Sequence, residues 1–256
     1  MIYWPRGIHL GKCGTISRQC DSISVSVGIR GGYRVQAEPV ERGILWKGAQ
    51  STRHILCLGA HADDIEIGCG GTILRLLSEV HNAEVTWVVF SASKQRKAEA
   101  GKSARRFLAS ATANRVHIKA FRESFFPYQG AAIKKAFERL KHTCNPDIIF
   151  THYRQDLHQD HRLINELTWN TFRSHLILEY EIPKYDGDLG VPNMFVQLDE
   201  AHCANKVRHV MECFKSQEGK QWFTEDTFWA LLRLRGVEAG KTSKYAEGFF
   251  CRKFVW

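Results

Sequence analysis

From Arg53 onward, short apolar runs alternate with longer amphipathic stretches, and this alternation constrains the fold more than any other feature of the chain. HILCLGA (54–60) is brief, apolar and ends in small residues, as a strand buried on both faces of a parallel sheet does. IGCGGTILRLLSEVH (67–81) follows with the spacing of a Gly-led amphipathic helix. The pattern repeats: AEVTWVVFSA (83–92) as strand, KQRKAEAGKSARRFLASA (94–111) as helix, RVHIKAF (115–121) as strand, GAAIKKAFERLKHTC (130–144) as helix. PDIIFTH (146–152), HQDHRLINELTWNTFR (158–173) and HLILEYEI (175–182) continue it as strand, helix and strand. Two further helices are expected around 201–217 and 225–236. Strands separated by helices run parallel, with right-handed crossovers. The expectation is therefore an α/β fold with a doubly wound, mostly parallel sheet and helices on both faces.

Residues 1–52 differ. They are rich in Gly, Ser and Arg, and only SISVSVGI and YRVQAE alternate like short strands. We read 1–52 as an N-terminal extension, poorly ordered or in short strands, ahead of a catalytic domain at 53–256. No apolar run reaches the roughly 18 residues needed to cross a bilayer, and the N-terminus lacks the continuous apolar segment of a secretory signal. The eight cysteines form no CxxC pair, so neither a zinc ribbon nor a disulfide scaffold is indicated, and a reducing cytoplasm is the expected location. The net charge of +9 is spread along the chain without a dense basic run or a basic-aromatic module. That pattern argues against nucleic acid as the partner and is equally compatible with an anionic small substrate. Oligomeric state is not legible in the sequence.

In an open α/β sheet, ligands bind outside the carboxyl ends of the strands. Two polar clusters fall there: His61-Ala62-Asp63-Asp64 after the first strand, and Asp156-Leu157-His158-Gln159-Asp160-His161 after the fourth. Zinc takes His nitrogen and carboxylate oxygen, with three protein ligands in a catalytic site and one position open to water. His61, Asp64 and a histidine of the second cluster make that set. A second carboxylate beside an activated water can act as general base, so Asp63 and Asp64 can divide the roles. His158 and His161 share a helix face, so one can bind metal while the other, protonated, faces the oxyanion. Each cluster alone has a plainer reading, as a helix cap or a solvated surface pair. Their pairing at strand ends points to a hydrolytic metal site. The glycines at 68, 70 and 71 lack the Lys-Ser/Thr ending of a phosphate loop. They are expected to let the helix pack close to the sheet.

At these residues the chain resembles the PIG-L/LmbE-like N-acetylglucosaminyl de-N-acetylases. The first hallmark stands as LGAHADDIEIGCGGT (58–72) and the second, HxDH, as HQDH (158–161). An Arg-x-x-Glu at Arg96 and Glu99 and the closing segment YAEGF (245–249) are weaker elements. The resemblance spans about 53–256 and implies a Rossmann-like fold and one zinc ion per chain. It assigns His61, Asp64 and His161 as metal ligands and Asp63 as base. His158 would stabilise the oxyanion or help protonate the leaving amine, and Asp160 would orient a nearby histidine. Arg96 and Glu99 would line the substrate pocket. The implied reaction removes acetyl from an N-acetylglucosamine-type conjugate and releases acetate; the aglycone is left open. One departure is Ala62, where the family usually has Pro, which touches loop rigidity and not the ligand set. Two rival functions remain. One is a two-metal phosphoester hydrolase recruiting Asp156 and His152; the other is a non-catalytic sugar- or nucleotide-binding module.

Overall fold

The computed structural model describes residues 52–255. The extension expected at 1–52 lies outside them apart from Thr52, as do Cys13 and Cys20. The elements run β1 (Arg53–Gly59), α1 (Asp64–Glu79), β2 (Ala83–Val89), α2 (Lys94–Phe107), β3 (Ala113–Ile118), α3 (Gly130–Thr143), β4 (Ile148–His152), α4 (Gln159–Thr171), β5 (Leu176–Tyr180), β6 (Met194–Leu198), α5 (Glu200–Cys213), α6 (Glu225–Glu238) and β7 (Tyr245–Phe250). Short 3-10 turns at Phe126–Gln129 and Lys215–Gln217 complete them. The expected strand–helix alternation is present, in one seven-stranded sheet of order β3-β2-β1-β4-β5-β7-β6.

Strands β1 to β5 pair in parallel, while β7 runs antiparallel to both β5 and β6. Strand β6, MFVQL, was not anticipated. It is a short edge strand whose first four residues are only half-buried, so it lacks the apolar run that marks the central strands. Burial explains the central ones. Along β1, Ile55 and Cys57 join the apolar cluster that also holds Ile65, Phe107, Val207 and Leu232, so α1, α2, α5 and α6 cover that face. Leu56 and Leu58 point the other way and join Ile133, Phe137 and Ile164, so α3 and α4 cover the second face. A period of two with both faces covered is what an unbroken apolar strand encodes.

The topology fixes where a ligand can bind. From β1 the chain winds outward through β2 to β3, then returns to place β4 on the opposite side of β1. The connections therefore diverge at the carboxyl ends of β1 and β4, the crevice that open α/β sheets use. Helix α1 starts there and packs tightly on the sheet. A Cβ at Gly68 would lie 2.1 Å from the Tyr180 ring, so only glycine allows this approach. Further along, α1 is braced from outside: Glu247 accepts hydrogen bonds from Gly71 N–H and Thr72 N–H, and buried Lys206 donates to Ile67 O and to Glu247. That pairing leaves neither buried charge alone.

Candidate metal centre

The loop between β1 and α1 presents His61, Asp63 and Asp64. It is pinned to the neighbouring strands: Ser91 N–H donates to Ala60 O, and Ala60 N–H donates to His152 Nε2 at 2.9 Å. Inside the loop, His61 N–H donates to Asp64 Oδ2 at 2.6 Å, which turns that carboxylate back towards His61. Asp63 precedes α1 but makes no capping bond, so the plain helix-cap reading does not describe it. Its Oδ1 instead takes Arg96 Nη2 at 2.7 Å. The second loop, after β4, leads into α4, where His158 does cap the helix: its Nδ1 accepts from Asp160 N–H at 3.2 Å.

Ninety to a hundred residues of chain separate these loops, yet their donor atoms converge. His61 Nδ1 lies 3.2 Å from His161 Nε2 and 3.4 Å from Asp64 Oδ2, and His161 Nε2 lies 3.6 Å from Asp64 Oδ2. Three ligands of a tetrahedral zinc at ~2.0–2.1 Å stand about 3.4 Å apart, so this trio fits such an ion by spacing and by donor chemistry. Two further histidines flank it. The groups His61–His158–His161 and Asp64–His152–His161 also bring donor atoms within 4.8 Å of one another. His152 stacks on His161 with ring centroids 3.9 Å apart.

Each trio histidine is held from behind. His61 Nε2 lies 3.1 Å from Asp160 Oδ2, and His161 Nδ1 lies 2.8 Å from Asp156 Oδ2. Carboxylates on the far nitrogen fix tautomer and ring orientation in metal sites. Asp160 thus sits where the resemblance implied, on a histidine, and that histidine is His61. Asp156 has a role that the sequence reading did not give it. It was considered only as a second-metal ligand, whereas its Oδ2 is shared between His161 and Lys184 Nζ at 2.9 Å. The alternation of Asp156, His158 and Asp160 carried a signal, but only the loop's fold shows which histidine each carboxylate reaches. Asp160 is itself anchored by the N–H groups of Ser124 (2.6 Å) and Phe126 (3.1 Å). Ser124 has φ 64, the one left-handed non-glycine residue among those described, so this turn is held in a costly conformation.

Arg96 reaches the cluster through Asp63. Glu99, also expected at the pocket, is not brought there. Its two oxygens accept from Ser216 N–H (2.9 Å) and Ser216 Oγ (2.5 Å), tying α2 to the turn after α5. One helical turn separates the two residues, and both lie near the turn after α5, but Arg96 extends over the Phe214 ring to Asp63 while Glu99 ends on Ser216.

The model of the family described as PIG-L, GlcNAc-PI de-N-acetylase, matches residues 56–172, the stretch that contains both loops. Over this segment the chain is similar to that family. Solved structures share its fold. A conserved protein from Thermus thermophilus is 20% identical, covering 79% of this chain and 96% of its own, with a TM-score of 0.62. The N,N'-diacetylchitobiose deacetylase from Pyrococcus horikoshii is 21% identical, covering 78% and 83%, with a TM-score of 0.56. The 4-carboxy-2-hydroxymuconate hydratase from Pseudomonas putida is 14% identical, covering 80% and 98%, with a TM-score of 0.59. The same architecture therefore serves more than one reaction, and function has to be argued from the site.

Electrostatics within the matched segment follow from burial. His61, Asp63, Asp64 and His161 are all buried. Burial opposes a charge on His61, yet the carboxylates of Asp64 and Asp160 outweigh it and raise its pKa to about 10. Burial and neighbouring His152 push His161 down to about 3, so it is neutral and ready to ligate, whereas His61 must release its extra proton for a metal to bind. Asp64 lies well below the usual carboxylate range: burial works against it, but His161, His152 and His61 surround it. Burial pushes the Asp63 carboxyl upward, with Arg96 opposing. Burial also lowers His158. This differs from the protonated His158 expected from sequence. Its Nδ1 accepts a backbone hydrogen bond, which leaves the proton on Nε2 and makes it a neutral donor.

Proposed function

We propose that this protein is a zinc-dependent de-N-acetylase that hydrolyses the acetamide of an N-acetylated amino sugar and releases acetate. The observation that carries the reading is the convergence of His61 Nδ1, Asp64 Oδ2 and His161 Nε2 within 3.2–3.6 Å, beside a spare carboxylate on Asp63. The family match over 56–172 supports the reaction class. The three residues would hold one zinc ion, which when bound activates water and polarises the acetyl carbonyl. Asp63 takes the proton from the attacking water, with one carboxylate oxygen held by Arg96. His158 Nε2–H donates to the oxyanion, the kind of fixed donor that matters most where charge develops. Asp63 then passes its proton to the amine as the C–N bond breaks. Asp156 and Asp160 keep the two histidine rings aimed.

A two-metal phosphoesterase is less well supported. Its extra ligands are already engaged: Asp156 by Lys184 and His161, and His152 Nε2 by Ala60 N–H. We place the candidate chemistry in residues 53–256, since every group invoked lies between His61 and His161. A reducing cytoplasm suits the six described cysteines, all of which are free thiols. No helix among the described residues is long and apolar enough to cross a membrane. The test is twofold: metal content of the purified protein, and acetate release from an N-acetylglucosamine glycoside. One zinc per chain with acetate release is expected. Two metals per chain with phosphoester hydrolysis, or no metal with sugar binding alone, would overturn the reading.

A further inference from the structure

Strands β1 and β4 are neighbours where the two polar loops leave the sheet, yet their pairing stops short of that point. The last backbone partners are Cys57 and Phe150, before β1 ends at Gly59 and β4 at His152. Beyond them, side chains take over the open backbone groups that follow on the β1 side. Leu58 O accepts from the Tyr180 hydroxyl at 2.7 Å, and Ala60 N–H donates to His152 Nε2 at 2.9 Å. The two strands can therefore part at the crevice without leaving these buried backbone groups alone. His152 is wholly buried, and its contacts reach both loops. Ala60 directly precedes His61, and its carbonyl is fixed in turn by Ser91 N–H at 2.8 Å. The His152 ring lies against that of His161, with centroids 3.9 Å apart and planes 16° from parallel. Its carbonyl accepts from Asn165 Nδ2 at 2.7 Å, which holds α4, the helix that carries His161.

A backbone N–H can only donate, so the Nε2 that faces Ala60 carries no proton. The proton of the imidazole is then on Nδ1, which is buried and has no hydrogen-bond partner among the described residues. A buried donor without a partner is costly, and an apolar ring at this position would avoid that cost. What the imidazole has and an apolar ring lacks is the lone pair at Nε2. The same tautomer bears on Asp64, whose Oδ2 lies 3.2 Å from His152 Nε2. With no proton at Nε2, His152 does not draw that oxygen into a hydrogen bond.

We propose that His152 is a positioning residue for the metal centre, a histidine used as a hydrogen-bond acceptor. Its unprotonated Nε2 fixes the loop that presents His61, while its ring supports His161, so one side chain sets the spacing between the two. The proposal rests on the reading of His61, Asp64 and His161 as metal ligands and gives His152 a role outside the ligand set.

The experiment measures zinc affinity, by competition with a chelator, in the full chain and in its variants His152→Phe and His152→Gln. Phe keeps a ring against His161 but has no acceptor. Gln lacks the ring but can bring its side-chain oxygen to the place of Nε2. The expected result is an affinity about 10–100-fold weaker in His152→Phe and within about threefold of the wild type in His152→Gln. A residue kept for packing alone gives the opposite order, with Phe tolerated and Gln not, and that order overturns the proposal. Loss of zinc in both variants makes His152 a ligand and overturns it too, as does undiminished affinity in both. A second measurement needs no variant to fold: nitrogen NMR on the uniformly labelled, chelator-treated wild-type chain. A nitrogen–nitrogen coupling across the hydrogen bond from Ala60 to an unprotonated His152 Nε2 is expected, and a protonated Nε2 overturns the proposal. If the wild-type chain binds no zinc, the metal reading fails by itself, and the coupling alone then decides whether His152 holds the loop of His61.

Discussion

Arg96 Nη2 sits 2.7 Å from Asp63 Oδ1, joining the first turn of α2 to the residue before α1. The contact occupies one oxygen of the carboxylate proposed as base and leaves the other for the reaction. In the proposed site it would also hold Asp63 away from the metal and leave Asp64 as the ligating aspartate. Replacing Arg96 by Ala should lower kcat about 10–100-fold through misplacement of Asp63, with zinc content unchanged. Steady-state kinetics and atomic absorption on the same samples check this. Undiminished kcat would remove Arg96 from the mechanism.

The trio and the capping histidine should separate by metal content. His61→Ala, Asp64→Ala and His161→Ala should each lose most of the zinc. Asp63→Asn should keep zinc and lose ~10²–10⁴ in rate. His158→Ala should keep zinc and lose ~10²–10³ in kcat, as expected for a single oxyanion donor. Zinc loss in His158→Ala would make His158 a ligand, consistent with its closeness to His61 and His161, and would close the open coordination position.

The carboxylates behind the histidines should tune affinity without setting it. Asp156→Asn and Asp160→Asn should each weaken zinc binding about 10–100-fold, measured by competition with a chelator. The Asp160 variant should also loosen the turn at Ser124 and Phe126, which donate to it. Proteolysis in that turn should rise in Asp160→Asn and not in Asp156→Asn. Equal affinity to the wild type in both variants would show that the rings are aimed by packing alone.

Glu66 offers a pH-dependent stability. It is wholly buried on α1, neither carboxylate oxygen has a hydrogen-bond partner among the described residues, and burial raises its pKa from 4.5 to about 8. The folded pKa lies above the unfolded one, so this group's contribution is fully present below 4.5 and is lost as pH rises through about 8. Glu66→Gln removes the liability. In chelator-treated protein, the stability difference between variant and wild type should grow by a few kcal/mol across that window, read from urea unfolding at successive pH values. A difference that does not change with pH would mean that Glu66 is ionised in the fold.

The sequence by itself determined the strand–helix alternation and the placement of both polar clusters after strands. It could do so because these are local signals: an apolar run of strand length, a glycine at each close helix approach, and polar residues where a parallel strand ends. Gly68 shows the limit of that legibility, since its spacing announces close packing but not that Tyr180 is the ring it meets. The half-buried edge strand β6 carried no such signal, because a strand covered on few sides needs no continuous apolar run. What only the tertiary structure decided is which partner each polar group takes. His61 and Asp160 are 99 residues apart, and nothing in either segment says that Asp160 stands behind His61 while Asp156 stands behind His161. Arg96 and Glu99 looked like equals in sequence, yet one reaches Asp63 and the other Ser216. Hydrogen bonds are short and directional, so their pairing depends on where strand order and loop curvature carry each side chain. That placement exists only once β4 has come to lie beside β1.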